Sequence, residues 1–422
     1  MVAYCNNLTY PELMQIIISG GGIGGLTAAL ALHARGHDVT VLEAVQEPKP
    51  LGVGINLLPH AVGVLDGLGL LPDLYGMAVE TSALVFANRH GQAIYRDPRG
   101  LGGGYTHPQF SIHRGLLQMR LWMQAQSRLA VLGGQRVTHV RDEGGRAIAE
   151  IETADGRREM SADLVVGADG IHSALRQRVA PNEGPPCWRG VMMWRGTTWA
   201  PPFLDGRTMV QAGYSQAKFV VYPIGAPRAD GLQLINWVAD RRLREPVPGL
   251  TAPDRADWSR AGRLEDLMPT FGRWRFDWLD VPGLIERAEQ MLEWPMVDRD
   301  PLPRWQLGRS TLLGDAAHPM YPIGSNGATQ AIMDAQALAD ALSAGTDLNT
   351  ALATYEDERR PLCARIVEMN RKEGLDAILD RVEALAPDGF AKLEDVIDPA
   401  EVAREIDAYK AAAGHRVTRT TH

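Results

Sequence analysis

The chain is poor in several features that would mark it as something other than a soluble globular protein. Only three cysteines occur among 422 residues, Cys5, Cys187 and Cys363. They are odd in number, widely spaced and in no Cys-x-x-Cys or Cys/His grouping, which argues for a reducing compartment and against a disulfide framework or a zinc site. No apolar run reaches the roughly 18 residues of a membrane-spanning helix. The N-terminal MVAYCNNLTYPELMQ lacks the basic start and apolar stretch of a secretory signal, so a cytoplasmic location is expected. Basic residues are outnumbered, 43 Lys and Arg against 51 Asp and Glu, for a formal net charge of −8. The electrostatic footprint of a nucleic-acid binder is therefore missing. Internal repeats and low-complexity stretches are missing too.

What is present is an ordinary globular composition, 45% hydrophobic and 22% charged, with glycine-rich segments that follow apolar runs. Residues 15–19, QIIIS, pass directly into GGGIGG and then LTAALALHARG, which reads as strand, glycine turn and helix. Gly20, Gly22 and Gly25 fit G-x-G-x-x-G. In that pattern the first Gly makes the tight turn and the second lets a pyrophosphate approach the backbone. The third lets helix and strand pack closely. A second strand, 39–42, ends in Glu43, 18 residues beyond Gly25 and suited to a ribose diol. NAD and FAD share this fingerprint, and the motif does not choose between them.

Two further strand ends carry glycine and acid. In DLVVGADGIHSALR the strand ends at Gly167 and Asp169, and in STLLGDAAHPMYPIGSNGATQ a short strand ends at Gly314 and Asp315. Each Asp taken alone reads better as a helix N-cap. Three such ends together predict an open parallel sheet that gathers one ligand at the carboxyl edges of its strands. The loop after Gly314 is also longer than a strand-to-helix turn requires.

These three segments, in this order, resemble the FAD-dependent aromatic hydroxylases, the single-component flavoprotein monooxygenases built like p-hydroxybenzoate hydroxylase. The resemblance covers about residues 14–375, and PLGVGINLLPHAV, FSIHRGLLQ, MWRG and WPMVDRDPLP look like its phenazine-carboxylate hydroxylase branch. It implies an α/β fold with a discontinuous Rossmann-like FAD-binding domain over 11–85, 105–185 and 290–375. A β-sheet substrate domain over 86–104 and 186–289 and a C-terminal helical segment and tail over 376–422 complete it. The implied activity is that of an oxidoreductase, an NAD(P)H-consuming monooxygenase. It would hydroxylate an aromatic or N-heteroaromatic acid, phenazine-like or salicylate-like, through C4a-hydroperoxyflavin. Decarboxylation would accompany attack at a carbon that bears the carboxylate. FAD is the implied cofactor, NADH or NADPH the transient co-substrate, and a small aromatic substrate and molecular oxygen the partners. No metal and no catalytic side chain is expected. A reductase or dehydrogenase that never inserts oxygen is the alternative, and the lack of a second strand-GxGxxG-helix unit counts against it.

Residue by residue, the resemblance implies that Gly20, Gly22, Ile23 and Gly25 meet the pyrophosphate and Glu43 the ribose. Arg114 would reach the phosphate and ribityl region, with Gln118 one helical turn later on the same face. Val137 matches the strand whose backbone meets the adenine. Gly54 would leave the isoalloxazine room to swing, and Asp169 and Asp315 would face the cofactor, Asp315 at the ribityl chain. Gly324, Asn326, Gly327 and Ala328 would present a helix start to the N1 and O2 edge, where reduced flavin is anionic. On the substrate side, Met193 and Arg195 share strand parity, as do Val220 and Tyr222, with Trp237 in a third strand and Tyr321 across the cavity. Arg195 is a cation that could fork onto a substrate carboxylate or pair with an acid at the domain interface. Core packing competes as a reading for Met193, Val220 and Trp237, and a solvated helix start for Arg114. Antiparallel strands are expected in 186–289, followed by helices over 257–271 and 282–293.

Overall fold

The apolar runs that end in glycine and acid assemble side by side. In a computed structural model, described for residues 13–50, 52–247, 249–253, 260–372 and 374–414, they form a five-stranded parallel sheet. Its spatial order is Ser310–Leu312, Leu164–Gly167, Gln15–Ser19, Asp38–Leu42 and Ala130–Leu132. The central strands are apolar on both faces because both faces are covered. The helix Ile23–His33 is itself almost wholly buried and packs against the helix Asn326–Leu342. The first strand thus lies between Leu164–Gly167 and Asp38–Leu42, which brings all three glycine-and-acid ends to one edge.

The segments expected as antiparallel strands build a seven-stranded sheet. Its order is Gln290–Asp298, Cys187–Ala200, Gln233–Arg242, Ala217–Pro223, Thr208–Tyr214, Ala83–Ala87 and Ala93–Pro98. Only Thr208–Tyr214 and Ala83–Ala87 pair in parallel. Cross-strand partners share a face, so the register sorts the side chains. Arg195 lies opposite Val238, and Val238 opposite Val220; Asn236 lies opposite Tyr222. These residues and Met193 therefore occupy one face. Trp237 pairs with Gly196 and Val221 and occupies the other.

That parity corrects one expectation. Trp237 does not stand beside Arg195 and Tyr222 but packs in a core with Trp194, Phe219 and Phe271, beneath the helices Leu264–Phe271 and Val281–Glu286. It stacks on Phe219 at 6.0 Å, donates from Nε1 to Thr198 Oγ1 at 3.1 Å, and fills the space that a side chain at Gly196 would take. A second expectation also changes. The helix expected over 282–293 stops at Glu286, and Gln290–Asp298 becomes an edge strand paired with Cys187–Ala200. Tertiary pairing overrides the local preference there, and the strand joins the larger sheet. The start of the helix expected from Asp257, Cys5 and the polar tail beyond Gly414 lie outside the described residues.

The sheets meet at Gly54, in the short strand Gly54–Leu57. A Cβ there would lie 2.7 Å from both Tyr222 and Ile224 and 2.8 Å from Asn236. The Gly54 N–H donates to Asn236 Oδ1 at 2.6 Å. The glycine is thus required for close approach of the sheets. Helices Leu348–Arg371, Asp376–Leu385 and Pro399–Ala412 close the far side, where Asp376 receives Lys218 and Gln211 from the large sheet. Among the described residues, no helix is long and apolar enough to cross a membrane.

The core placement of Trp237 has a measurable consequence. Trp237→Ala is expected to cost about 3–5 kcal/mol of folding stability in urea titrations. A variant that keeps its stability and loses only substrate affinity would instead make Trp237 a pocket residue.

Candidate functional site

The carboxyl edge of the parallel sheet is shaped by close backbone contacts. Gly20 has φ +115°, and a Cβ on it would lie 2.4 Å from the Ala168 carbonyl oxygen. A Cβ on Gly25 would lie 2.1 Å from the Gly20 oxygen, so helix and strand close only because both are glycine. Gly22 differs. Apart from its own chain neighbours, no protein atom among the described residues lies within 4 Å of its Cβ position, and no side chain caps the helix that begins at Ile23. The first N–H groups of that helix thus face open space, as an anion site requires. Glu43 frames the turn, its Oε2 accepting the Gly21 N–H at 2.7 Å and its Oε1 the Val45 N–H at 2.8 Å. Gln118 donates from Nε2 to the Gly21 carbonyl at 2.8 Å and accepts from Arg114 at 3.3 Å, so Arg114 and Gln118 do share a face.

From this turn a cleft runs in two directions. Toward the outer strands it opens into a groove of about 980 Å³ beside Glu43, lined by residues including Gln46, Trp122, Leu132 and Gln135. The Gln135 N–H donates to the Glu43 carbonyl at 2.8 Å. Val137 follows two residues later on Arg136–Glu143, the outer strand of a three-stranded antiparallel sheet. In the other direction stand Arg114 and Asp315. Both side chains are solvent-accessible, yet the protein around them desolvates both. Burial lowers the Arg114 pKa against the pull of Asp315, and raises that of Asp315 against His318 and Arg114. Both groups are thus accessible while protein flanks them closely. Asp169 lies by the same edge, where its Oδ2 accepts the Ala174 N–H at 2.9 Å, while the N-cap of that helix is Ser173.

The long loop after Gly314 is clamped on two sides. The Asp334 carboxylate, fully buried, accepts the Gly314 N–H at 2.9 Å, His318 Nε2 at 2.6 Å and Arg359 Nε at 2.8 Å. Arg176, buried opposite, donates to the carbonyls of Ala316 and Ala317. His318, Asp334 and Cys363 have metal-ligand chemistry and lie together, but Arg359 already occupies the carboxylate, and the group is a buried ion-pair network. Further along, Gly324 (φ +70°) and Ser325 (φ +60°) turn the chain into the helix Asn326–Leu342, whose start carries no side-chain cap among the described residues. Tyr409 of the last helix accepts from Asn326 Nδ2 and donates to Asn370 Oδ1. Asn370 in turn donates to the Tyr321 carbonyl. Gly327 and Ala328 follow in the first turn of the helix.

Facing this loop is the Arg195 side of the large sheet. Tyr321 packs on Val191 and Met296, and its Oη is buried with no hydrogen-bond partner among the described residues. Arg195 is half-buried, and its pKa is pushed down to about 10, first by burial and then by the Arg114 guanidinium. Burial raises the Tyr222 hydroxyl, with Arg195 pulling the other way. Met193, Arg195, Val220 and Tyr222 thus share one face of the large sheet, Tyr321 packs on Val191 of the same strand as Arg195, and Trp237 lies on the opposite face. Asn236, Asp334, Arg359, Asn370 and Tyr409 belong to the site's frame and were missed from sequence, because each acts across a long chain separation.

The donor set fits a flavin dinucleotide: two helix starts without side-chain caps, an arginine and an aspartate in the cleft between them, and a glutamate at the turn. Gly22→Ala should fold normally but lose at least tenfold in FAD affinity, because its methyl group would occupy the space left for the pyrophosphate. Gly25→Ala should fail to fold. Flavin absorbance and thermal melting of the two variants separate these outcomes. The network behind the loop adds a pH test. Burial opposes a charge on His318, but Cys363 and Asp334 beside it hold its pKa well above the ordinary imidazole value. The raised value means that its contribution is complete below about pH 6.5 and is lost as pH rises through the folded-state pKa. Stability should fall above pH 6.5 by up to about 1.4 kcal/mol per pH unit, and His318→Asn should remove this slope in denaturant titrations.

Comparison with known proteins agrees with this geometry. Residues 13–370 match the family model described as FAD binding domain. The chain is 45% identical over 375 residues to the phenazine 1,6-dicarboxylic acid hydroxylase of Lysobacter antibioticus, covering 86% of this chain and 91% of that one. It is 33% identical to the 3-amino-4-hydroxybenzoate 2-monooxygenase of Streptomyces platensis, covering 85% and 87%. Among solved structures it is similar to a variant of Klebsiella pneumoniae HpxO in complex with FAD, with TM-score 0.75, 25% identity and coverage of 94% and 98%. With its parallel sheet, glycine turn and family match, this chain belongs to the FAD-dependent aromatic hydroxylases.

Proposed function

We propose that the enzyme hydroxylates an aromatic or N-heteroaromatic acid, phenazine-like or salicylate-like, held between the Arg195 face of the large sheet and the Pro319–Pro322 loop. The observation that carries this reading is Arg195. Its planar guanidinium shares one sheet face with Met193, Val220 and Tyr222, and it offers the fork of donors that a carboxylate takes. The names of the relatives support the same class, since they act on phenazine and hydroxybenzoate acids.

The cofactor lies along the cleft in this reading. The N–H groups at Gly22 and Ile23 bind its pyrophosphate, Glu43 its ribose, and the edge strand at Val137 its adenine. Arg114 and Asp315 hold the ribityl region, and the helix start at Gly324, Asn326, Gly327 and Ala328 stabilises negative charge on the pyrimidine edge. These residues would hold FAD, which would supply a hydride acceptor for NADH or NADPH and the means of activating molecular oxygen. The protein's own work is positional. Arg195 forks onto the carboxylate, and Tyr222 and Tyr321 offer hydroxyls to the ring substituents. Met193, Val220 and the two prolines exclude water, whose entry would favour release of hydrogen peroxide. His318 is not a base here, because it is committed to Asp334. Where the carboxylate sits on the attacked carbon, carbon dioxide leaves as the hydroxyl arrives. The larger sheet serves as the substrate domain, and the reducing cytoplasm is the compartment we assign.

A panel of aromatic and N-heteroaromatic acids tests this. At least one acid should accelerate NAD(P)H oxidation and give a product heavier by one oxygen, or one in which hydroxyl replaces carboxylate. Arg195→Lys should raise KM for that acid about tenfold or more, with a smaller change in kcat. Cofactor oxidation with hydrogen peroxide as the sole product across the panel would contradict the reading.

A further inference from the structure

Asn236 sits where the large sheet meets the strand Gly54–Leu57, and it is fully buried. The orientation of its amide is set by chemistry. The Gly54 N–H can only donate, so the atom 2.6 Å from it is Oδ1, and the other amide atom must be the NH₂ donor. That donor, Nδ2, is buried and has no hydrogen-bond partner among the described residues. Buried polar groups are nearly always paired, because an unmade bond leaves the full desolvation penalty in place. The position of this one is informative. Asn236 lies directly opposite Tyr222, and diagonally across its strand pair from Arg195, on the same sheet face. A diagonal pair of this kind stands within reach of one small group.

We propose that Asn236 is a substrate-binding residue, whose Nδ2 donates to the carboxylate of the aromatic acid that Arg195 also holds. Its two ends then serve two elements, Oδ1 fixing the Gly54 strand beside the cofactor cleft and Nδ2 fixing the acid. A carboxylate has lone pairs enough for a guanidinium fork and a further amide donor. The proposal rests on the reading above that the pocket takes an aromatic acid. It adds that specificity for the carboxylate is shared between a cation and a neutral amide.

The test uses holoenzyme of Asn236→Asp, which keeps the acceptor for Gly54 and replaces the donor, and of Asn236→Leu, which removes both. The probes are phenazine-1-carboxylate and unsubstituted phenazine, with binding read from the change in flavin absorption. Both variants should retain FAD and bind the carboxylate at least tenfold more weakly than wild type, with phenazine affinity unchanged. In turnover, KM should rise more than kcat falls. Equal weakening of both probes, no weakening of either, or loss of FAD from both variants would overturn the role assigned to Asn236. A wild type that binds both probes alike would overturn the substrate reading and this role together.

Discussion

A charge buried out of water must have its lone pairs used, and the Asp334 carboxylate obeys this constraint by taking three donors from two parts of the chain. Gly314, His318 and Arg359 all end on it. Gly314 and His318 bracket Asp315, so the acid that faces the cleft projects from a segment with little freedom. Burial opposes the charge on Asp334, but His318 and Arg359 hold its pKa at about 2, and it stays ionised at physiological pH. Arg176 holds the same segment from the other side through the Ala316 and Ala317 carbonyls and is itself paired with Glu183. A loop that would otherwise be an over-long turn becomes a rigid wall.

The rest of the site follows from that wall. It puts Asp315 across from Arg114, and carries Tyr321 onto Val191 and Met296 of the large sheet. It then delivers the chain to a helix start that Tyr409 and Asn370 brace from the C-terminal helices. The cleft at the sheet edge and the pocket beneath the sheet are thus two sides of one loop. Gly54 joins them, because the absence of its side chain lets Tyr222 and Asn236 approach the strand beside the cleft. Chemistry that depends on holding a ring close to a cofactor and away from water is served by such a shared wall.

Much of the cleft was legible in the sequence because its determinants are local. A glycine spacing, a strand ending in glutamate and a helix-spaced Arg-Gln pair are each set within a few residues, and Glu43 and Gln118 both reach Gly21. The pocket was less legible. Met193, Arg195, Val220 and Tyr222 were placed by strand parity, but Trp237 belongs to a strand whose phase relative to them is set only by pairing, and it fell on the opposite face. Gln290–Asp298 looked helical at its start and became a strand because an edge of the large sheet was available to it. Asp334, Asn236 and Tyr409 carry no local signature. Their partners lie from 16 to 182 residues away in the chain, and only the folded arrangement reveals them.

The central claim is that this pocket holds an aromatic acid in position to receive an oxygen atom. Turnover of the responsive acid under ¹⁸O₂ in ordinary water tests it most directly. The account predicts one ¹⁸O atom in each hydroxylated product and none when the label is supplied as water. Label entering from water, or ¹⁸O recovered only as hydrogen peroxide, would contradict it.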